Sequence, residues 1–500
     1  MAPSATATAD ITQVATLNNW IAGNATAATT SDFLPVIEPA TGRTLARVPL
    51  SNAEDLDRAV AAAALAQRDW AAQPLKDRVQ VLYRLKHLAE RDLDRLADVI
   101  TKENGKTMDE SRASVLRAIE CIEFAASLPQ VALGRVLEVS PGVECKTTRT
   151  PLGVVAGITP FNFPFMVPLW MVPMAIGLGN AFVLKPSEQT PLSALELARL
   201  FAEAGLPAGI FSVVHGAQAI VEGICDHPGI AAVGFVGSTK VARIVSRRAA
   251  ATDKRVRALG GAKNHLVVVP DADPEMTATN VVASVTGCAG QRCMAASVLL
   301  AVGDVDPIVD RIVEKMSQLR AGRDLGAIIS QPAYERITGY VERSKTDAQL
   351  RLDGRELVDD DVADQIAGGG RYLGPCVIDQ ASPDHEASCD EIFGPTLTII
   401  RCSTLDEAIA IENANPYGNA AAIYTSTGGA AQHFTDKAQA GMVGVNVGVP
   451  VPREPFAFGG WNESNFGEGD ITGHGAIDFW TREKKVTTKW TAAAATNWMS

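Results

Sequence analysis

The chain has 500 residues, of which 47% are hydrophobic and 6% aromatic, and its formal net charge is −12. A chain of this length can bury a large core in two or three subdomains, and its acidic balance argues against nucleic acid as a partner. No apolar run reaches the roughly 18 uninterrupted residues of a membrane span, so we predict no membrane partner either.

The first 151 residues predict an arm, a hairpin, helices and projecting strands, in that order. Residues 1–30 are rich in Ala and Thr and predict an irregular arm. Residues 33–50 place β-forming residues around a Pro-Ala-Thr-Gly turn, which is typical of a hairpin. Apolar residues at every third or fourth position predict amphipathic helices over 52–72, 76–103 and 108–128. Residues 135–151 alternate around a Pro-Gly turn and predict strands that project from the body.

From Gly153 onwards, short apolar runs alternate with helical patterns. The predicted strands are 154–159, 181–185, 211–215 and 233–236, and the first two predicted helices are 167–179 and 193–204. We expect residues 266–269, after Gly260 and Gly261, to close this region. Repeated βα units predict a parallel, doubly wound sheet, and such sheets bind ligands at the carboxyl ends of their strands.

The remaining residues predict a second α/β domain and a terminal strand. Residues 270–440 repeat the βα pattern, and this domain carries Cys293. Residues 477–490 alternate and predict a strand that could pair with the projecting strands at 135–150.

One cysteine has the surroundings of a nucleophile. Cys293 follows Arg292 and lies among small residues, from Gly287 to Ala296. Small residues let a backbone pass close to a ligand, and a cationic neighbour favours the nucleophilic thiolate. Cys293 is therefore the candidate for covalent catalysis, and a buried structural cysteine is the alternative.

Two short segments have the pattern of a dinucleotide site. Lys185 and Glu188 follow a predicted strand, where they could hold ribose hydroxyls and phosphate, and a carboxylate there would oppose an extra 2′-phosphate. The alternative is a solvated helix cap. Gly237 and Ser238 lead from another strand into a helix, whose free N–H groups form an anion site. For Ser238 the alternative is a simple N-cap.

Two further segments could hold the reacting groups. Asn162 lies between prolines and aromatic residues, and a stiffly held amide is what a developing oxyanion needs. A turn residue is the alternative. Glu391 and Phe393, two apart on a segment predicted to be extended, could meet a nicotinamide ribose and ring. The alternative there is a partly buried strand edge.

The eight cysteines and seven histidines are scattered along the chain. No CxxC, HExxH or paired-histidine spacing occurs, so we predict neither a metal site nor a disulfide framework. This cysteine usage indicates a reducing compartment, and we predict a cytoplasmic location.

Five motifs together resemble one family. PFNFP, LKPSE, GFVGST, GQRCMA and EIFGP occur in the order and spacing of the NAD(P)-dependent aldehyde dehydrogenases, which the chain resembles from Phe33 to Trp490. The resemblance implies Cys293 as the nucleophile and Asn162 as the oxyanion donor, helped by the Cys293 backbone N–H. It implies an NAD site made of Thr159, Pro160, Phe161, Lys185, Glu188, Gly237, Ser238, Leu259, Glu391 and Phe393.

The resemblance also implies the domain organisation. The family's fold is α/β, with a doubly wound cofactor domain, a second α/β catalytic domain and a small β-flap for oligomerisation. We assign residues 1–132 and 151–260 to NAD binding, 261–447 to catalysis, and 133–150 with 475–500 to the flap. In the family the flap extends a partner's sheet, which implies a homodimer or homotetramer.

One departure from the family bears on how the product leaves. Many members carry a glutamate, in an ELGGK motif, that activates water to hydrolyse the acyl-enzyme. Leu259 stands at that position here, and no carboxylate lies between Arg255 and Lys263. Without that base the thioester should pass to another nucleophile. This trait resembles the methylmalonate-semialdehyde dehydrogenases, which use coenzyme A as a co-substrate.

The subfamily resemblance implies an anionic substrate. Arg117 and Arg292 match its two carboxylate-binding arginines, whose forks suit a carboxylate, and Phe163 joins them in the predicted substrate site. Leu259 and Gly260 replace the Asn and Met usual in the subfamily, and Glu454-Pro455 replaces the apolar residues expected after the Pro-Val-Pro segment at 450–452.

The implied reaction is NAD-dependent oxidation of methylmalonate or malonate semialdehyde, with decarboxylation, to give propionyl-CoA or acetyl-CoA. The alternatives are a hydrolytic aldehyde dehydrogenase, an acylating enzyme for another anionic aldehyde such as a sulfonated one, and a non-catalytic protein that retains the fold.

Overall fold

The computed structural model of the protein describes residues 14–448 and 450–490. The first part of the predicted arm, at 1–13, and the end of the predicted flap, at 491–500, lie outside the described residues. Two large sheets organise the chain, and a small three-stranded sheet lies apart from them in the pairing order.

The first large sheet has eight strands in the described residues. In spatial order they are Asn24–Thr26, Asn19–Ile21, Phe211–Val213, Ala181–Lys185, Val154–Ile158, Ile230–Val236, Arg255–Leu259 and Asn465–Gly467. The strands from Phe211–Val213 to Arg255–Leu259 run parallel, and the outer ones pair antiparallel. Strands buried on both faces are typical of parallel sheets, and every residue of Val154–Ile158 is buried. The predicted doubly wound parallel sheet is thus present.

The second large sheet has seven strands in the same described residues. Their spatial order is Gln349–Leu352, Cys376–Asp379, Thr396–Cys402, Ala296–Val302, Asn264–Val268, Ala420–Tyr424 and Met442–Val445. Our prediction that residues 266–269 close the first sheet is wrong. Asn264–Val268 pairs with Ala296–Val302 and Ala420–Tyr424 in the second sheet, and Arg255–Leu259 takes the place we gave it.

Helices cover the sheets and join their strands. The described α-helices are Ala53–Ala72, Leu75–Arg78, Gln80–Arg91, Leu93–Asn104, Met108–Ala126, Leu128–Val131, Met166–Gly177, Leu192–Glu203, Gln218–Asp226, Thr239–Ala250, Pro274–Thr286, Asp306–Ser317, Gln331–Arg343, Ala363–Ala367, Glu386–Cys389, Leu405–Ala414, Gly428–Lys437 and Gly475–Phe479. Asn52 and Thr107 begin two of them with capping boxes, which satisfy free N–H groups at the first turn. The helix predicted over 76–103 is broken at Val79 and Asp92. None of these helices is both long and apolar enough to cross a membrane.

The smaller strands confirm two pairings that the sequence predicts. Phe33–Ile37 pairs antiparallel with Thr44–Pro49 as the expected hairpin. Thr481–Lys489 pairs with Val143–Pro151, which also pairs with Val136–Ser140. The terminal strand begins later than predicted, because residues 475–479 form a short helix. We keep the division into cofactor, catalytic and flap domains as a proposal.

Candidate active site

A single cavity of about 1370 Å³ gathers the predicted site residues at the carboxyl ends of the first sheet. Ile158 and Lys185 are register partners where two of these strands end, and Val236 pairs with Leu259 at two others. The lining includes Arg117, Thr159, Pro160, Phe161, Asn162, Phe163, Lys185, Glu188, Gly237, Ser238, Arg292, Cys293, Glu391 and Phe393. The motifs are far apart in sequence, so their meeting in one cavity is a property of the fold.

Leu259 is the one predicted site residue that the structure does not bring into the cavity lining of the described chain. Its side chain is 3% exposed and packs in the hydrophobic core. Its backbone oxygen accepts a hydrogen bond from the Gly237 N–H at 3.1 Å. Leu259 therefore supports the neighbouring loop and offers no carboxylate to the cavity.

The loop before Cys293 is tightly folded against the loop of Glu391. After the helix Pro274–Thr286, Cys288, Ala289 and Gly290 all have positive φ angles, of 55°, 51° and 70°. A Cβ on Gly290 would lie 2.1 Å from the carbonyl oxygen of Gly394, so the backbones meet at a distance that only glycine allows. The small residue at 290 thus lets two loops of the chain approach closely, and the predicted approach to a ligand stays a prediction.

Two asparagines that the sequence analysis missed hold the backbone of Cys293. Asn264 Nδ2 and Asn419 Nδ2 donate to the Cys293 carbonyl oxygen at 2.8 and 2.9 Å. Asn264 Nδ2 also donates to the Ala295 carbonyl oxygen at 2.9 Å. Both asparagines are buried. Asn264 is the first residue of one strand of the second sheet, and Asn419 directly precedes another. Buried amides of this kind fix a loop, because each lost bond would leave a polar group without a partner.

Burial is the largest influence on the acidity of the Cys293 thiol. Burial raises its pKa to about 12, the Glu391 carboxylate adds to the rise, and Arg292 opposes it. The predicted effect of Arg292 thus has the right sign, but desolvation outweighs it. Burial also raises the pKa of Glu391 to about 7.

Hydrogen bonds hold both the side-chain amide of Asn162 and the backbone at 161 and 162. Asn162 Nδ2 donates to the Gln291 carbonyl oxygen at 3.0 Å, and because an amide has two N–H groups, one can still serve a ligand. Asn104 Nδ2 donates to the Phe161 carbonyl oxygen at 2.9 Å. Lys106 Nζ donates to the Asn162 carbonyl oxygen and lies 4.2 Å from the centre of the Phe163 ring. Asn104 and Lys106 are positioning residues that the sequence analysis missed.

Lys185 and Glu188 form an ion pair at the end of their strand. Lys185 Nζ lies 3.0 Å from Glu188 Oε2. Burial alone would raise the pKa of Glu188, but the Lys185 charge and hydrogen bonds outweigh it and lower that pKa. The carboxylate is therefore charged at neutral pH, on the cavity wall.

Ser238 lies where the helix Thr239–Ala250 begins, and its side chain makes no capping hydrogen bond. The simple N-cap alternative is therefore not what the structure shows. A hydroxyl and the first N–H groups of the helix line the cavity together, and this arrangement suits a phosphate.

Glu391 and Phe393 meet the other motifs, but not on an extended segment. Phe393 has φ of 55°, which is a left-handed conformation that bulky residues rarely adopt, so the extended backbone we predicted is wrong. Its ring packs edge-on against Phe161, with ring centres 5.8 Å apart. Glu391 Oε1 accepts a hydrogen bond from the Ala262 N–H at 3.0 Å.

The two predicted carboxylate-binding arginines differ in their surroundings. The Arg292 guanidinium donates through Nη2 to the carbonyl oxygens of Ala283 and Ser284, both at 2.8 Å. Arg117 instead pairs with Glu454, at 2.7 and 3.1 Å. An acid of the chain thus already occupies the fork of Arg117, and its predicted role in binding the substrate stays a prediction.

Comparison with known proteins gives one family. The model of the aldehyde dehydrogenase family matches residues 26–486. Malonate-semialdehyde dehydrogenase 1 of Geobacillus thermodenitrificans is 45% identical over 488 residues, which are 96% of this chain and 100% of the relative. Malonate-semialdehyde dehydrogenase 3 of Geobacillus kaustophilus is 45% identical over 489 residues, with the same coverage.

Two solved structures are similar over nearly the whole chain. The putative methylmalonate-semialdehyde dehydrogenase of Sinorhizobium meliloti, solved with NAD, has a TM-score of 0.93 and 38% identity, and the match covers 96% of this chain and 99% of that one. The methylmalonate-semialdehyde dehydrogenase of Oceanimonas doudoroffii has the same TM-score and identity, with 96% and 100% covered.

Proposed function

The chain belongs to the aldehyde dehydrogenase family and has its fold, and we propose that it oxidises malonate or methylmalonate semialdehyde with NAD and passes the acyl group to coenzyme A. The observation that carries the proposal is that Cys293, Asn162 and Arg292, which pairs with no acid among the described residues, line one cavity. Leu259 packs in the core, so it supplies no carboxylate to that cavity. The similarity to malonate-semialdehyde dehydrogenases supports the substrate class.

The first step uses Cys293 and Asn162. The Cys293 sulfur, once deprotonated, adds to the aldehyde carbon, and the carbonyl oxygen becomes an oxyanion. Asn162 Nδ2 donates a hydrogen bond to that oxyanion, together with the Cys293 N–H. Because Gln291 already holds the same amide, the donor is in place before the charge develops, as electrostatic stabilisation requires.

The residues of the cavity fit a dinucleotide. The adenosine ribose would be held by Glu188 and Lys185. The pyrophosphate would be held by Ser238 and the N–H groups of its helix. The nicotinamide ribose would be held by Glu391 with Phe393. NAD, when bound there, accepts the hydride that leaves the substrate carbon, and a thioester on Cys293 remains. Thr159, Pro160, Phe161 and Gly237 complete the wall.

Release of the acyl group falls to coenzyme A, because Leu259 offers no base for water. If the acyl group carries a β-carboxylate, its bond to the α-carbon breaks and carbon dioxide leaves. The thioester carbonyl accepts the electron pair, and the α-carbon then takes a proton. The coenzyme A thiolate attacks the thioester, forms the new carbon–sulfur bond and frees Cys293. Arg292 holds the carboxylate before it is lost.

Product analysis with and without coenzyme A tests this proposal. With coenzyme A we expect sustained NADH formation and an acyl-CoA product by mass spectrometry. Without it we expect a burst of about one NADH per active site and then a rate at least about tenfold lower, since a stable covalent intermediate accumulates. Sustained turnover without coenzyme A, with a free acid as product, would favour the hydrolytic alternative. The same assay with a sulfonated aldehyde tests the alternative of an acylating enzyme for another anionic aldehyde.

Glu188 should make NAD the preferred cofactor. A charged carboxylate beside the ribose opposes a 2′-phosphate, so kcat/KM should be at least about tenfold higher with NAD than with NADP. Glu188→Gln should reduce that ratio. Glu222→Gln is the matched control, because Glu222 lines the same cavity but pairs with Arg248 at 3.0 Å. A wild-type preference for NADP would contradict the assignment.

We also propose that the protein forms a homodimer or homotetramer through the three-stranded sheet. Its edge strand Val136–Ser140 is exposed at every residue, and Val136 and Leu137 are 67% and 65% exposed. An exposed edge strand presents unpaired N–H and C=O groups, which are a ready template for pairing with another chain. A monomer in solution would contradict this part of the proposal.

A further inference from the structure

The cavity holds a second charged pair, which joins two distant parts of the chain. Arg117 lies on the helix Met108–Ala126, and its Nη1 and Nη2 donate to Oε2 and Oε1 of Glu454 at 2.7 and 3.1 Å. Two parallel bonds of this kind form the strongest arrangement of an arginine with a carboxylate. The side chains of Arg117 and Glu454 are only 16% and 12% exposed, so water screens the pair weakly.

Further contacts balance the charge around this pair. Glu120 Oε2 lies 3.0 Å from Arg117 Nη1 and also pairs with Arg453. The Cys121 Sγ lies 3.6 Å from Glu454 Oε1. Two arginines and two glutamates thus form one network without net charge. Both terminal nitrogens of Arg117 already have a carboxylate partner, so a substrate anion would meet Glu454 as well as Arg117.

Arg292 lies on the same cavity without such a partner. In the part of the chain that the structure describes it forms no ion pair with an acid, and its Nη2 donates to two backbone carbonyl oxygens. Its buried Nε has no hydrogen-bond partner among the described residues. Of the two arginines, Arg292 is therefore the one whose charge remains available to a substrate.

We infer that Glu454 is a specificity-determining residue, which withholds Arg117 from the substrate so that Arg292 alone receives its carboxylate. The inference rests on the proposed function, because it concerns how that substrate's carboxylate is recognised. Glu454 repels a second anionic group near Arg117, so the cavity takes aldehydes with one carboxylate and disfavours those with two.

The variant Glu454→Gln tests this inference, because it keeps the size of the side chain and removes its charge. Freed from its ion pair, Arg117 can bind the substrate carboxylate. We expect the ratio of kcat/KM for malonate semialdehyde to kcat/KM for propanal to rise about tenfold. This factor is at the lower end of the effect of one new hydrogen bond between charged groups. The gain should vanish in the double variant Glu454→Gln/Arg117→Leu, because the two residues are coupled.

Glu123→Gln is the matched control. It makes the same charge change on the helix of Arg117, but Glu123 is 51% exposed and lies near Lys86, so the ratio of the two kcat/KM values should not change. Both aldehydes are measured on the same folded fraction, so a loss of stability in the Glu454→Gln variant cancels in the ratio. An unchanged or lower ratio would overturn the inference and show that Glu454 orients Arg117 for the substrate or is structural.

A binding measurement separates this inference from the proposed function. Calorimetry without NAD, with 3-hydroxypropanoate as an unreactive carboxylate, should show tighter binding to Glu454→Gln than to the wild type by about the same factor. If the wild type oxidises propanal faster than malonate semialdehyde, the proposed substrate is wrong, but this binding difference still tests Glu454. Equal binding to both proteins would overturn the inference even if malonate semialdehyde is the substrate.

Discussion

Replacing Cys293 by alanine should reduce NADH formation to below about 1% of the wild-type rate, because the covalent intermediate cannot form without the sulfur. NAD should bind the variant with nearly unchanged affinity, since the residues proposed for the cofactor come from other segments. Steady-state NADH formation and a titration of NAD binding measure the two effects. Residual activity above about 1% of wild type would contradict the assignment of the nucleophile.

Cys288→Ala is the matched control for this prediction. Cys288 lies five positions earlier in the same loop and lines the same cavity. Burial raises the pKa of its thiol, as it does that of Cys293, so the direction of the pKa shift does not decide between the two cysteines. Their backbones differ, however, because Asn264 and Asn419 hold the Cys293 carbonyl. If the alanine at 288 abolished turnover and the alanine at 293 did not, the roles would be exchanged.

The sequence predicts local elements well and their assembly less well. Ala181–Lys185 has the bounds that its apolar run predicts. Asn264–Val268 has an equally clear pattern, yet it belongs to the other sheet, because a strand's pattern shows that it is buried and not which neighbour it pairs with. The five-residue helix Gly475–Phe479 is too short for its period to show.

The site also has residues that the sequence predicts and residues that only the assembled fold reveals. Residues at the carboxyl ends of parallel strands meet because the sheet brings those ends together, so Lys185 and Ser238 could be predicted from one sequence. Glu454 is 337 positions from Arg117, and nothing local to either residue reveals their pairing. Asn264 and Asn419 are single asparagines in strand-like segments, and only the carbonyl they share shows what they do.

If Asn162 is the oxyanion donor, as we propose, its strength in that role should follow from how firmly it is held. Its amide bonds to the Gln291 carbonyl oxygen at 3.0 Å, and Asn104 and Lys106 fix the backbone on either side. Asn104→Ala should therefore loosen the loop while it leaves the amide itself in place, and we expect a smaller loss of kcat from it than from a change at Asn162.

Asn162→Ala should lower kcat by roughly 10²–10³, the usual effect of removing one oxyanion donor, with a much smaller change in KM. The interaction strengthens only as charge develops on the oxygen, so the loss belongs to the chemical step. The rate of Cys293 alkylation by iodoacetamide, which forms no oxyanion, should stay near that of the wild type and serves as the second measurement. A loss of less than about tenfold in kcat would remove Asn162 from the oxyanion site. An equal fall in alkylation would show that its bond to Gln291 only supports the nucleophile's loop.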